Sequence, residues 1–148
     1  MLTSLKIIDH IHADTKIIDE ISLSYEDRFI RRKKLTANNG TEFLVNLEET
    51  KSVDENYYFK LDSGEVIKVI SKEENLMQIT GDNIKQIIWH IGNRHLPCQI
   101  EESRILIQED SVIKEMIIKL GGNITNVVEK FKPEGGAYGM GRTHSHQH

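Results

Sequence analysis

The spacing of apolar residues in the second half of the chain constrains the fold most strongly. Two stretches place large aliphatic side chains at helical spacing, so that each predicts an amphipathic helix with one apolar stripe. The stripes consist of Ile84, Ile87, Ile88 and Ile91 in the first stretch and Ile113, Met116, Ile117 and Leu120 in the second. Thr80 or Asp82 is expected to cap the first helix and Asp110 the second.

Short strand candidates flank both helices. They cover residues 75–80, 98–101, 104–108 and 124–131. The resulting order, strand-helix-strand-strand-helix-strand, is that of a ferredoxin-like domain. We therefore predict that residues 74–132 form an antiparallel sheet with both helices on one face. Residues 133–148 contain several glycines and a proline, and they predict a flexible C-terminal tail.

The first half of the chain predicts strands and no helix. Candidates cover residues 5–9, 17–24, 29–35, 42–47, 57–61 and 66–70, with glycine turns at Asn38-Asn39-Gly40 and Asp62-Ser63-Gly64. Residues 1–73 are therefore expected to form an all-β domain of two packed sheets. The expected core is Ile18, Phe29, Phe43, Val45, Phe59 and Val66. The fold class of the whole chain is α+β.

Composition excludes several function classes. The net charge is −4 over 148 residues, which disfavours nucleic-acid binding because such proteins usually present a basic face. A single cysteine forms no internal disulfide and fits the reducing cytoplasm. The sequence shows no secretion signal and no membrane-spanning run. Each half is small for an independent core, so dimerisation would help to stabilise it.

Seven histidines are the strongest chemical signal, and three stand at alternate positions at the C-terminus: His144, His146 and His148. Imidazole is a common ligand of nickel, zinc and copper. A flexible tail alone binds weakly, because ordering it costs roughly 1–2 kcal/mol per residue. We therefore expect a fixed ligand elsewhere, and His95, which follows the predicted end of the first helix, is the best candidate.

Other polar clusters have simpler explanations. His90 is five residues from His95, about 140° around a helix, so the two are not expected to share an ion. Cys98, three residues after His95, could join it as a soft ligand, but we favour its interpretation as a buried strand residue. The pair His10 and His12 is interpreted as polar surface. The basic run from Arg31 to Lys34 fits a solvated edge strand or a docking surface for an acidic partner protein.

One fixed histidine gives too few ligands for a metal site within one chain. A two-fold homodimer repeats every residue, so two copies of His95 could meet near the axis and the two tails could complete the site. Such an open site suits delivery of a metal. Because imidazole binds a metal only when neutral, affinity is expected to fall below about pH 6.5.

Several motifs resemble the UreE family of urease accessory proteins. The match covers nearly the whole chain and is strongest in HIGNRHLPCQIEESRILIQEDSVIKEM and FKPEGGAYGMGRTHSHQH, supported by SYEDRFIRRKKLTANNGTEFLVNL and KLDSGEVIKV. The resemblance implies an N-terminal β domain that contacts partner proteins and a ferredoxin-like domain that binds metal and dimerises. It implies nickel as cargo, with zinc or copper as competitors, bound by His95 at the dimer interface and by tail histidines. The implied partners are urease apoprotein and an accessory GTPase complex.

The chain departs from the family pattern at residues 108–111, where many members carry histidine and this sequence reads Gln-Glu-Asp-Ser. An auxiliary metal site there is in doubt. An enzyme is disfavoured, because neither HExxH nor a Ser/His/Asp constellation occurs in a recognisable context. The alternative to nickel delivery is a metal-independent chaperone or scaffold for urease assembly.

Overall fold

The structure is a computed structural model, and it describes residues 1–135. Contacts between residues divide the chain into a first unit, Met1–Lys72, and a second unit that begins at Glu73. The first unit contains β1 (Leu2–Ile8), β2 (Ile17–Leu23), β3 (Phe29–Thr36), β4 (Glu42–Ser52), β5 (Tyr58–Leu61) and β6 (Val66–Ser71). The second contains β7 (Glu73–Thr80), α1 (Ile84–Asn93), β8 (Gln99–Ile100), β9 (Ile105–Gln108), α2 (Ser111–Lys119) and β10 (Asn123–Lys130).

The first unit is the strand-rich domain that the sequence predicts, but the prediction of two packed sheets was wrong. Its six strands form one hydrogen-bonded sheet in the order β2-β6-β5-β1-β4-β3. Two of the pairings, β1 with β4 and β2 with β6, are parallel. Turn signals in a sequence identify neighbours joined by hairpins, whereas parallel neighbours are distant along the chain.

The two edges of this sheet approach each other at the turn between β3 and β4. The Asn38 N–H, in that turn, donates a 2.8 Å hydrogen bond to the carbonyl oxygen of Glu20 in β2. Gly40 has φ of 95°, and its N–H donates to the carbonyl oxygen of Ala37 at 3.0 Å. The glycine turn predicted here is therefore confirmed. Although β2 and β3 are the two edge strands of the sheet, the sheet curls so that this turn contacts β2.

Asp19 fixes this contact between the edges. The residue is buried, with 4% of its surface exposed. It accepts hydrogen bonds from the N–H groups of Glu20 at 2.8 Å, Asn39 at 3.1 Å and Thr41 at 3.3 Å. Burial raises the pKa of Asp19, but the Thr41 side chain and three main-chain N–H donors outweigh it, so the pKa lies below its usual value.

The core of the first unit contains most of the residues expected from the sequence. Phe43, Val45, Phe59 and Val66 are fully buried, and the rings of Phe43 and Phe59 lie 5.5 Å apart. Phe29 is 37% exposed, so its assignment to the core was wrong. It is the first residue of β3, and side chains alternate along a strand, so the neighbouring Ile30 takes the core side and is 4% exposed.

The second unit has the predicted βαββαβ order. Its four strands form an antiparallel sheet in the order β10-β7-β9-β8. The apolar stripes of both helices pack with alternate residues of β7 and β9 in one core. That core consists of Met77, Ile79, Ile87, Ile91, Ile105, Ile107, Ile113 and Ile117.

The two helix starts differ in how they are capped. Asp110 caps α2 as predicted, accepting hydrogen bonds from the N–H groups of Val112 at 2.9 Å and Ile113 at 3.1 Å. The prediction of Thr80 or Asp82 as the cap of α1 was wrong, because Asn83 occupies that position and makes no side-chain cap bond. The Asn83 side-chain amide instead donates to the carbonyl oxygen of Leu120, which ties the start of α1 to the end of α2.

The face of the sheet that carries Gln78 holds a charged network centred on Arg104. Its guanidinium contacts Glu101 at 3.0 Å and Glu129 at 2.6 Å and donates to the Gln78 side chain at 2.9 Å. Because Glu129 lies on β10 and Gln78 on β7, the side chain of Arg104, directly before β9, connects two neighbouring strands. The hydrogen bonds from Arg104 lower the pKa of Glu129. Neither helix of the described chain is long and apolar enough to span a lipid bilayer.

Candidate metal centre

His95 lies in a fixed turn directly after α1. The helix ends at Asn93, and Arg94 is its C-cap residue. His95 has a left-handed backbone with φ of 57°, a conformation in which histidine is enriched among residues other than glycine. Its N–H donates to the carbonyl oxygen of Gly92 at 2.9 Å, and the residue is exposed. The predicted anchor ligand is therefore accessible and lies on a backbone held by the helix end.

The residues after His95 fasten the turn to the core. Leu96 and Cys98 are half-buried and pack against the core of the second unit. Burial, with a smaller contribution from the charge of Glu134, raises the pKa of the Cys98 thiol to about 12. The thiol is therefore neutral near pH 7. Since metals bind the thiolate, this environment favours the interpretation of Cys98 as a packed residue.

The ring of His90 contacts Trp89. It is half-buried on α1, and its ring meets the ring of Trp89 edge to face with centroids 5.0 Å apart. Trp89 itself is 64% exposed. Within residues 1–135, no group of three or more His, Cys, Asp or Glu side chains is close enough to hold a metal ion. A site of three or more ligands that contains both His90 and His95 is therefore not formed by the described residues of one chain.

The chain after β10 returns to the neighbourhood of His95. Phe131 is fully buried, the Lys132 N–H donates to the Gln99 side-chain oxygen at 2.8 Å, and the Glu134 N–H donates to the carbonyl oxygen of Cys98 at 2.9 Å. We call residues 131–134 the C-terminal strap. Because β10 and β8 are opposite edges of the sheet, the strap carries the chain from one edge to the other.

In the described part of the chain, the structure does not place the other candidate histidines beside His95. His144, His146 and His148 lie outside residues 1–135. His10 is exposed and contacts Asp9 with its Nδ1 atom at 2.8 Å, and the absence of a three-ligand group in the described chain also covers His12. Both histidines are exposed.

Sequence reasoning missed the residues that hold the strap, Gln99 and Phe131. The sequence pattern places Phe131 at the end of the strand candidate 124–131 and Gln99 in the strand candidate 98–101. A signal was present, because an aromatic residue stands between the alternating strand and the lysine-proline pair that follows it. That signal identifies a buried anchor but does not identify the edge of the sheet at which the chain arrives.

Comparisons with known proteins agree with this architecture. Family models for the N-terminal and C-terminal domains of UreE urease accessory protein match residues 4–71 and 74–148. A urease accessory protein UreE of Ruegeria pomeroyi is 50% identical over 130 residues, covering 88% of this chain and 87% of the relative. Proteins of the same name from Rhodobacter capsulatus and Azorhizobium caulinodans are 46% and 37% identical, covering 88% and 100% of this chain and 83% and 76% of the relatives. The chain belongs to the UreE family of urease accessory proteins.

Proposed function

We propose that this protein carries nickel to urease apoprotein while the urease metal centre is assembled, and that it does so as a homodimer in the cytoplasm. Membership of the UreE family supports a role in urease maturation. Nickel is cargo in this proposal, so the protein needs no catalytic group and is not an enzyme. Delivery would involve urease apoprotein and an accessory GTPase complex as partners.

The proposed ligands are His95 from both protomers together with tail histidines. The observation that carries this assignment is the hydrogen bond between Glu134 and Cys98. Cys98 is three residues from His95, so the tail begins next to a residue that is close in sequence to the proposed ligand. His144 follows Glu134 by ten residues, a length of chain that can extend to about 33–36 Å. His144, His146 and His148 can therefore reach an ion bound at His95 with chain to spare.

A two-fold dimer would supply the second fixed imidazole. Three large apolar side chains of the second unit are exposed and could be covered by a partner copy, since Trp89 is 64%, Ile118 56% and Ile100 42% exposed. Large exposed aromatic and aliphatic side chains are typical of interfaces. The imidazole set suits nickel, copper and zinc alike, so family membership is the reason for proposing nickel.

Nickel binding and oligomeric state test the proposal together. We would measure nickel by equilibrium dialysis for the full chain, for His95→Ala, and for a chain that ends at Arg142. Both changes are expected to weaken binding, and His95→Ala more strongly because it removes the fixed ligand from both protomers. His10→Ala, an exposed histidine of the first unit, is the matched control and should bind as the unaltered chain does. Unchanged binding in both variants, or a monomer by sedimentation in the presence of nickel, would refute the proposal.

A metal-independent scaffold is the second candidate, because the first unit has its own core and is compact by itself. A urease activation assay separates the two functions. If a chain that lacks both His95 and the tail histidines activates urease fully at low nickel, the scaffold is sufficient. If activation is lost while the variant remains folded, metal delivery is required.

A further inference from the structure

Before the turn at which Asn38 contacts β2, the outer edge of β3 presents main-chain groups that no other strand uses. β3 is the last strand of the six-stranded sheet and pairs with β4 alone. In an antiparallel pair of strands, every second residue exchanges main-chain hydrogen bonds with its partner. The Ala37 N–H donates to Thr41 O at 2.8 Å, so in the same register Leu35 and Lys33 also bond to β4. The N–H and C=O groups of Arg32 and Lys34 therefore point away from the sheet.

The same edge carries four consecutive cations, Arg31 to Lys34, and all four residues are exposed. Neighbouring groups engage two of them weakly. The Arg31 Nε donates to the carbonyl oxygen of Glu48 at 3.3 Å, and Lys34 lies 3.8 Å from Glu42 with both side chains 58% exposed. Among residues 1–135, Arg32 and Lys33 make no hydrogen bond or ion pair through their side chains.

From these two observations we propose that β3 is a docking edge for an acidic, extended segment of a partner protein, which adds to the sheet as a further strand. Main-chain hydrogen bonds to Arg32 and Lys34 would give affinity, as in other cases of strand addition. Both side chains lie on the sheet face of their cross-strand partners Asn46 and Leu44. They are two residues apart, about 6.7 Å along a strand, so acidic residues at alternate positions of the segment would match them.

The charges on β3 also disfavour two other binding partners, a second copy of β3 and a nucleic acid. Two copies of β3 would place their cations opposite one another, so the edge disfavours pairing with itself. A nucleic acid fits less well than a peptide. Lys33 lies on the opposite face from Arg32 and Lys34, so the cations form no single surface for a phosphate backbone, and Glu42, Glu48 and Glu49 of β4 are exposed nearby.

Peptide binding to the full-length protein tests the proposal. The probe is a labelled ten-residue peptide of alternating glutamate and threonine, measured by fluorescence anisotropy at low and at ~0.15 M salt. We expect saturable binding that weakens with salt. A peptide with lysine in place of glutamate, and one with proline at alternate positions and the same charge, should both bind at least about tenfold more weakly. Equal binding of the proline peptide would overturn strand addition, and tighter binding of a single-stranded oligonucleotide would overturn the choice of a protein partner.

Two double variants locate the site. Arg32→Glu with Lys34→Glu is expected to weaken peptide binding about tenfold or more, because attraction becomes repulsion at two positions. Lys6→Glu with Lys60→Glu makes the same charge change at exposed positions of β1 and β5 and should bind as the unaltered protein does. Arg32→Gln with Lys34→Gln provides a milder variant if charge reversal prevents folding. Equal weakening by the β3 variant and the control, or none by either β3 variant, would overturn the proposal.

Discussion

The Glu134 N–H lies 2.9 Å from the carbonyl oxygen of Cys98 and donates a hydrogen bond to it. Cys98 follows His95 by three residues, and Glu134 precedes the first tail histidine by ten. A local contact at the edge of a sheet thus brings together two parts of the chain that are far apart in sequence. In the proposed function this contact sets the effective concentration of the tail at the metal, as a short linker does for a second binding group.

Gln99→Ala is expected to weaken nickel binding toward that of the chain that ends at Arg142. The Gln99 side chain accepts the Lys132 N–H at 2.8 Å and donates to Glu101 at 2.8 Å, so its loss loosens the strap. We expect a stability loss of about 1 kcal/mol, measured by chemical denaturation. Equilibrium dialysis measures the nickel effect.

Gln86→Ala is the control for that change, since Gln86 is an exposed glutamine on α1. It should alter neither nickel affinity nor stability beyond about 0.5 kcal/mol. If Gln99→Ala leaves nickel affinity unchanged although the tail is needed for binding, the strap has no role in placing the tail.

Asp19→Asn is expected to destabilise the protein by about 2 kcal/mol at neutral pH, because a buried carboxylate loses charge-assisted hydrogen bonds. The folded-state pKa of Asp19 is lowered from 3.8, so its stabilising contribution is present above the unfolded pKa and is lost as pH falls through the folded pKa. The difference in unfolding free energy between the two proteins should therefore be largest near pH 7 and vanish in strong acid.

Urea denaturation at several pH values measures this dependence. Asp14→Asn, which changes an exposed aspartate of the loop before β2, is the matched control. A constant difference at all pH values would show that the effect of Asp19→Asn comes from shape and not from charge.

Arg104→Gln should cost about 2 kcal/mol at neutral pH, since the guanidinium connects Glu101, Glu129 and Gln78 in a partly buried network. Hydrogen bonds from Arg104 hold the pKa of Glu129 below 4.5. The stabilisation is thus present at neutral pH and decreases as acid protonates Glu129. Lys114→Gln removes an exposed cation on α2 and should have little effect. Thermal denaturation with and without added salt measures both variants, and equal melting temperatures would contradict the assigned role of Arg104.

Gly122→Ala is expected to destabilise the second unit by roughly 1–3 kcal/mol. A Cβ atom there would lie 2.7 Å from Ile117 Cγ2 and 2.8 Å from Ile87 Cδ1, and both isoleucines are fully buried. Gly92→Ala makes the same change in α1, where no atom beyond its chain neighbours and the backbone of the helix itself lies within 4 Å of the added Cβ. It should stabilise the protein by up to about 1 kcal/mol through helix propensity. Similar unfolding free energies for the two variants would contradict this packing argument.

Local sequence patterns determined most of the secondary structure. The apolar stripes of α1 and α2, the cap at Asp110 and the turns at Gly40 and Gly64 follow from the conformational preferences of a few neighbouring residues. The motif that contains His95 also identified the family and the candidate anchor ligand. These features are readable because each depends on residues close together along the chain.

Tertiary structure decided the remaining features. Parallel pairing of β1 with β4 and of β2 with β6 joined six strands into one sheet, and the approach of its edges buried Asp19 beside Asn39. The same is true of the strap, whose hydrogen bond to Cys98 joins residues 36 positions apart. Such contacts depend on how distant segments pack, which no local preference encodes, because the free energy that selects them comes from the burial and hydrogen bonding of the whole unit.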